Sequence, residues 1–460
     1  MAVVDLLAAF SEWREATTIG DYGSAVNYEF VRSPPGSPSP VHLRRSSGPN
    51  TGVIATVLAA ARPRGLLIAG SRAWLPAGTK MHYADWNGTG FTVATVATGT
   101  FTAGNQAFNM VDAGTHVVAV DGVDARASTA SVLTTVTPPA GTFSSVAYQD
   151  GYTVYARSGT DEFYVSALDD PTTIGALDFS TADALPGDIV GLISDHRELV
   201  IFKESSIEFW SNTGGSFPFA RSQPGVAERG CWGAGTIAKY DNEIFWIGDD
   251  QRAYAMRGYQ PRAISGEGVG HLMRSLAAGG APGIRCSTYT TGGFPKYRVE
   301  YTDESAAYAL VYSIDTGLWN KETQSSWGFA SGVAVFGAAQ GQTVAAARFG
   351  VDAKIVLLDA NSPGTCVVRL PEILAPGGEA MMRSVTVDGD TPGPAGVLVV
   401  IDNDSATATM TRNAPTMVSA KYGRVRWGRL GRFRKRILEI TMSHNTITRI
   451  LADIEPLAGP

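Results

Sequence analysis

Short apolar runs separated by polar turns recur along most of the chain. Gly65 to Gly70 reads GLLIAG, and Lys80 to Ala84 and Phe91 to Ala97 follow it. Phe108 to Val111 and His116 to Val120 form a second group that ends at an Asp121-Gly122 turn. Ser144 to Tyr148, Thr153 to Ala156 and Glu162 to Ala167 form a third. Runs this short, rich in β-branched and aromatic residues and bounded by Gly, Asp and Pro, predict β-strands. The same pattern continues through Arg285 to Thr290, Tyr297 to Tyr301 and Ala309 to Ser313, and then from Trp327 to Leu358. About six groups of three to four strands lie between residues 52 and 360, each of about 45–50 residues, as propeller blades are. A run of β-sandwiches is the rival architecture.

The most regular stretch is His196 to Ser265. It contains the apolar run Leu199 to Phe202, the alternating Ser206 to Trp210 and the aromatic strand Glu243 to Gly248 (EIFWIG). The tryptophans Trp210, Trp232, Trp246, Trp319 and Trp327 read most simply as blade-core residues. Residues 361–460 change character. Pro363, Pro371, Pro376, Pro392 and Pro394 break the first part, and strands are expected at 384–388, 397–402, 424–427, 437–441 and 446–454. The expected organisation is therefore all-β: an N-terminal arm and connection at 1–51, a β-propeller-like body at 52–360, and a small C-terminal β-sandwich-like domain at 361–460. Residues 20–52 read as loop, because SPPGSPSP at 33–40 cannot enter a central strand or helix. Val4, Leu7, Ala8 and Phe10 predict one side of a short amphipathic helix.

Composition changes this picture little. Charged residues are 17% of the chain, hydrophobic residues 44%, and the 52 Gly and 24 Pro are spread as strand punctuation. A net charge of -6 argues against a nucleic-acid binder that is basic overall. Cys231, Cys286 and Cys366 are far apart and odd in number, so neither a disulfide framework nor a zinc spacing arises. The start MAVVDLLAAFSEWREATTIG has Asp5 where a signal peptide would be basic, and no signal peptide is expected. No run of 18 apolar residues is present in the sequence.

An enzyme finds little support. The six histidines (His42, His82, His116, His196, His271, His444) share no metal-ligand spacing, and neither HExxH nor GxSxG occurs. Asp249-Asp250 invites a glycosidase reading, but adjacent carboxylates point apart on a strand and are solvated in a turn. No cofactor, metal or small-molecule substrate is expected. The notable charge cluster is KYGRVRWGRLGRFRKR. It places Lys421, Arg424, Arg426, Arg429, Arg432, Arg434, Lys435 and Arg436 within sixteen residues, with Tyr422, Trp427 and Phe433 between them. Such a run can contact nucleic-acid backbone, or pair with acidic residues of a neighbouring subunit. In the strand part, Arg424 and Arg426 would share one face, with Val425 and Trp427 on the other.

The chain also resembles a known family. The matching residues are Asp195-His196-Arg197-Glu198, Ile207-Glu208-Phe209-Trp210, Asn212-Thr213-Gly214, Phe217-Pro218-Phe219 with Gly225, Gly230-Cys231, Phe245 to Asp250 and Gly258 to Ser265. Gly151 to Asp183, Asn105 to Gly122 and Val425 to Gly431 add to them. Ser24 to Glu29 matches loosely, since no Pro separates Tyr28 from Glu29. In this order they resemble the packaged-DNA stabilisation, or tail nozzle (hub), proteins of short-tailed bacteriophages. The resemblance implies a structural virion protein of the tail, assembled in the host cytoplasm. It implies a self-associated hexameric ring below the portal and adaptor proteins. Double-stranded DNA would pass through it without sequence specificity, and spikes, fibres or a needle would attach to it. A carbohydrate-binding, lectin-like propeller is the alternative, and a propeller glycosidase ranks below it.

Overall fold

The computed structural model describes residues 2–6, 24–26, 28–33, 35, 41–104, 106–276, 284–301, 308–323, 330–336, 342–349, 352–361, 366–370, 372–375, 379–390, 396–402, 408–412, 416–419, 424–442 and 446–457. Strands dominate, and they form antiparallel meanders of four. Blade 1 is Leu67–Ala69, Arg72–Ala77, Lys80–Trp86 and Phe91–Thr95. Blades 2 to 5 begin at Asn109–Asp112, Phe143–Gln149, Ile189–Asp195 and Ala238–Tyr240. Blade 6 is Ile284–Thr291, Phe294–Tyr301, Tyr308–Ser313 and Leu318–Thr323. Blade 7 combines Ala330–Phe336, Gln342–Phe349 and Asp352–Asn361 with the N-terminal strand Ser47–Leu58.

The first strands of successive blades meet, except that Ile189–Asp195 of blade 4 meets the turn Ala234–Thr236 just before blade 5, and the circle closes where Ala330–Phe336 of blade 7 packs on Leu67–Ala69 of blade 1. The fold is thus a seven-bladed β-propeller, one blade more than the strand groups suggest. The extra blade is hard to see in sequence because its outer strand comes from the other end of the chain. Pairing Ser47–Leu58 with Asp352–Asn361 ties the ring shut, as Ala353 faces Leu58 and Asn361 faces Ser47. Residues 20–52, expected as loop, therefore carry strands. Pro49 is tolerated because this strand lies on the outer edge, where the register against Leu358 shifts. Most of the proline-rich string 33–40 lies outside the described residues. The expected N-terminal helix is a strand at Ala2–Asp5, paired with Ile454 to Leu451, and residues 7–10 are outside the described set.

Six of the seven layers between blades are apolar. Blades 4 and 5, for example, bury Phe202, Phe209, Trp246 and Met256 together, with Phe202 edge-on to Trp246 at 5.4 Å. Trp210 and Trp246 are core residues, Trp232 and Trp319 pack partly buried against the layer of blades 5 and 6, and Trp327 lies outside the described residues. The helix Glu267–Leu276 joins blades 5 and 6 and places Met273 in that layer. The spacing of Val269, Leu272 and Met273 carries its signal, although the reading of strands passes over it.

Blade 1 also buries His82, which shares a hydrogen bond of 3.0 Å between Nδ1 and Thr95 Oγ1. Burial pushes its pKa below the usual value of 6.5. Folding therefore favours the neutral ring, and this stability is complete above about pH 6.5 and is lost as the pH falls below it. Melting temperatures measured between pH 8 and pH 5 should fall on the acid side, and His82→Gln should flatten that fall. Equal slopes in the two proteins would show that His82 is not the group responsible.

The layer between blades 6 and 7 differs. Its apolar part is small (Tyr289, Ala345, Val356 and Leu358). Beside it lie Lys296, Arg298, Glu300, Asn320 and Glu322, all buried. Arg298 Nε donates to Glu300 at 3.0 Å, and Arg298 Nη1 donates to Glu322.

The remaining strands make a β-sandwich. One sheet runs Tyr28–Arg32, Val41–Arg45, Thr446–Pro456, Ala380–Gly389, Arg424–Phe433 and Thr416–Ser419. The other runs Ser24–Val26, Cys366–Arg369, Lys435–Met442, Val397–Asp402 and Met410–Arg412. Their facing sides enclose one core that includes Tyr28, Phe30, Leu43, Trp427, Leu438 and Ile450. The second sheet continues into blade 6, because Val26 pairs in parallel with Lys321. Residues 28–31 of the first strand are buried on both sides. Tyr28 and Phe30 enter the sandwich core, while Glu29 turns to blade 6 and accepts from Lys296 Nζ and, at 2.6 Å, from Arg44 Nε. Burial lowers the Lys296 pKa to about 8, so it is still mostly a cation at neutral pH, facing the Glu29 carboxylate.

Candidate DNA and subunit interface

The basic run of the C-terminal region folds as two successive strands, Arg424–Phe433 and Lys435–Met442, in opposite sheets of the sandwich. The chain changes sheet at Arg434. Val425, Trp427, Leu430 and Phe433 supply the buried side. Arg424 and Arg426 lie on the other side of the strand, as period-two alternation requires. The alternation is then reset by a bulge: Gly431 faces Met382 and Gly428 faces Ser384, so Arg429 and Leu430 together oppose one residue. Arg429 takes φ +59° there, in the left-handed region. As a result Arg426, Arg429 and Arg432 are all exposed, one every third residue.

The seven candidates that are described do not form one patch. Arg424 is spent on Asp388, with Nε and Nη2 at 2.5 and 2.8 Å from its two oxygens. Arg436 is 1% exposed, forks onto Asp402 at 2.6 and 2.8 Å, and lies 4.6 Å from the Phe433 ring centre. It is a structural residue holding two strands of one sheet together. Lys435 Nζ lies 3.6 Å from Glu372. Arg434 is exposed at the corner, where its carbonyl accepts from Ala375 N at 2.8 Å. Lys421 lies outside the described residues. What remains is the exposed stripe Arg426, Arg429 and Arg432. No spacing rule for a uniform strand finds this division, because it depends on the bulge and on the change of sheet.

The structure also forms a cleft that motif reading misses. It has a volume of about 540 Å³ and lies between the outer turns of blades 4 and 5. Val200, Phe209, Ile244 and Met256 floor it, and Asp195, Glu198 and Asp241 stand on the rim. Much of the rim is internally paired. Asp195 meets Lys239 at 2.6 Å, and Glu198 accepts from Tyr259 Oη at 2.9 Å. His196 bridges Asp195 (2.9 Å from Nδ1) and Asn242 (3.0 Å from Nε2), and the hydrogen bond to Asp195 raises its pKa. These residues come from three turns that the sequence separates by up to about sixty positions, which is why only folding shows them as one place.

The paired carboxylates of the glycosidase reading have other partners. Asp249 meets Arg229 at 2.9 Å, while Asp250 accepts from Tyr254 Oη at 2.7 Å and Arg252 N at 3.1 Å. Gly230 is required for packing: a Cβ there would drive into the Glu204 carbonyl. Among the described residues, no group of three His, Cys, Asp or Glu is placed to hold a metal ion. Cys231, Cys286 and Cys366 are free thiols.

Fold and surface together define a β-propeller fused to a β-sandwich, with several charge pairs buried between strands and the stripe Arg426, Arg429 and Arg432 facing solvent. The chain matches the family described as Bacteriophage P22 Gp10, beta-propeller, over residues 72–329, more than half its length. It belongs to this phage stabilisation family, and it is a phage structural protein, a component of the virion. No curated protein matches the chain significantly. Among solved structures, it is similar to the Neurospora crassa Pan2 WD40 domain, at 9% identity and a TM-score of 0.43, covering 68% of this chain and 97% of that one. It is similar to PorZ, a surface component of the type-IX secretion system of Porphyromonas gingivalis, at 10% identity and 0.39, covering 73% and 45%. BamB from Moraxella catarrhalis is similar at 12% identity and 0.38, covering 78% and 96%.

Proposed function

We propose that this protein forms a nozzle or hub ring in the tail of a short-tailed phage. Six copies extend the portal channel below the portal and adaptor proteins, hold packaged DNA in the head, gate its ejection and carry spikes, fibres or a needle. The observation that carries this reading is the family match across residues 72–329, which takes in blades 1 to 6. The charge distribution agrees with it. A chain of net charge -6 repels the DNA backbone, and the stripe Arg426, Arg429 and Arg432 adds only a few points of attraction. Since affinity rises with each phosphate neutralised, a more basic wall would hold DNA back during ejection. The test is electron microscopy of particles assembled with and without this gene product. Without it, heads should fill with DNA, then leak it and lack the lower tail. Full heads carrying a complete tail tube would reject the nozzle role and leave a peripheral, carbohydrate-binding role to be examined on a glycan array.

A further inference from the structure

Six large hydrophobic side chains stand exposed among the described residues. Three belong to the last loop and outer strand of blade 3: Leu168, Leu177 (86% exposed) and Phe179. Val123 and Val132 sit in turns of blade 2, and Leu374 lies on the sandwich. Exposed apolar groups scattered singly are ordinary, but five of six on two adjacent blades mark a contact surface. Those blades are also acidic. Residues 109–181, which span them, hold nine carboxylates against two arginines, a net charge of -7 where the whole chain has -6. In the loop itself, Asp169 and Asp178 are exposed next to Leu168 and Leu177.

The sandwich has the opposite sign. Residues 361–460 hold twelve Lys and Arg against nine carboxylates, a net charge of +3. Leu374 faces Lys435 across a strand pair, beside the corner at Arg434, and the stripe Arg426, Arg429 and Arg432 runs up to that corner. The two surfaces also lie at opposite ends of the molecule. The sandwich is joined to the outer strand of blade 6 through Val26 and Lys321. Around the circle, blades 7 and 1 intervene before blade 2 on one side, and blades 5 and 4 before blade 3 on the other. Both surfaces border the propeller face that carries the first turn of each blade. Arg44 of the sandwich donates to the Thr291 carbonyl at that turn of blade 6 (3.1 Å), and Asp169 N donates to the Gly151 carbonyl at that turn of blade 3 (2.8 Å).

We propose that the blade 3 loop around Leu177 of one copy docks on the Leu374 corner and arginine stripe of the next copy's sandwich. This rests on the ring proposed above and names the contact that builds it. Unlike surfaces at opposite ends meet head to tail, and such heterologous contacts generate a ring when the rotation between copies closes. Covering Leu177 and Leu374 removes apolar area from water, and carboxylates facing arginines fix the register and steer the encounter. A different acidic protein would suit the arginines and leave blades 2 and 3 bare. A second copy of this chain covers both surfaces at once.

The test is cross-linking by a short bismaleimide in particles assembled from full-length chains with Leu177→Cys, Leu374→Cys or both. The native Cys231 and Cys366 are buried, and the unsubstituted chain gives the background. Chains with both substitutions should give a series of multimers on a denaturing gel. Each single variant should give monomers, and the two singles mixed should stop at dimers. Adding Arg426→Glu, Arg429→Glu and Arg432→Glu to the double variant should cut the multimers about tenfold or more. Where a folded variant is not incorporated into particles, the purified chain is cross-linked at low salt, with the same results expected. The absence of multimers from the double variant overturns the interface, as do dimers from one single variant alone, which would mean that like surfaces meet. Either result leaves the nozzle reading standing if particles still need the protein to retain DNA.

Discussion

Glu29→Ala should destabilise the protein by about 3–5 kcal/mol, because it breaks a buried ion pair from one side. Glu29 is fully buried, and it faces Lys296 (1% exposed) and Arg44. Without its carboxylate, Lys296 keeps Thr291 Oγ1 at 2.6 Å but loses its nearest counter-charge. The damage should be local first. Glu29 joins the sandwich to blade 6, so amide exchange should quicken in Tyr28–Arg32 and Phe294–Tyr301 before it does in blade 2. The double variant Glu29→Ala with Lys296→Met should recover much of the loss, since an apolar replacement leaves no charge stranded. A loss under about 1 kcal/mol for the single variant would mean that water reaches the pair, as it reaches an ordinary surface salt bridge.

The second large effect is functional. Replacing Arg426, Arg429 and Arg432 together with Glu should leave the fold intact while impairing ring assembly or DNA retention. All three are exposed, and none has a carboxylate partner among the described residues. The bulge conformation at Arg429 burdens Glu no more than Arg, since both carry a Cβ. Arg424 and Arg436 are excluded from this set, because losing the pairs with Asp388 and Asp402 would confuse unfolding with loss of function. Circular dichroism and melting should match the wild type. Particles carrying the variant should lack the ring or leak DNA, and the reversal of three charges in each copy should show most strongly at low salt. Folded variants that assemble and retain DNA normally would make the stripe plain solvated surface.

The strand pattern was legible from the chain because alternation and turn chemistry are local. EIFWIG at 243–248 holds Ile244, Phe245, Trp246 and Ile247 in the core, and both faces of that strand are covered because blades stack on either side. Arg424 and Arg426 were placed opposite Val425 and Trp427 for the same reason. The blade number was less legible, since blade 7 joins residues 47–58 to 352–361. The cleft between blades 4 and 5 was not legible at all, since its rim is assembled from distant turns.

By itself the sequence determined an all-β chain, the strands of most blades, their aromatic cores and a family likeness carried by turns and glycines. These follow from rules that act over a few residues: the pleat, the forbidden φ values and the Cβ that Gly230 cannot carry. Only the tertiary structure decided which charges are free. The seven described basic residues of that run became a buried strut, two surface residues paired with carboxylates, a corner and a three-arginine stripe, because one bulge and one change of sheet redirected them. It also decided that Glu300 serves Arg298 rather than its cross-strand neighbour Arg285, whose Nη2 donates to the Phe108 carbonyl. The energy of a charge depends on what surrounds it in space, and the order of residues along the chain does not contain that until the blades close.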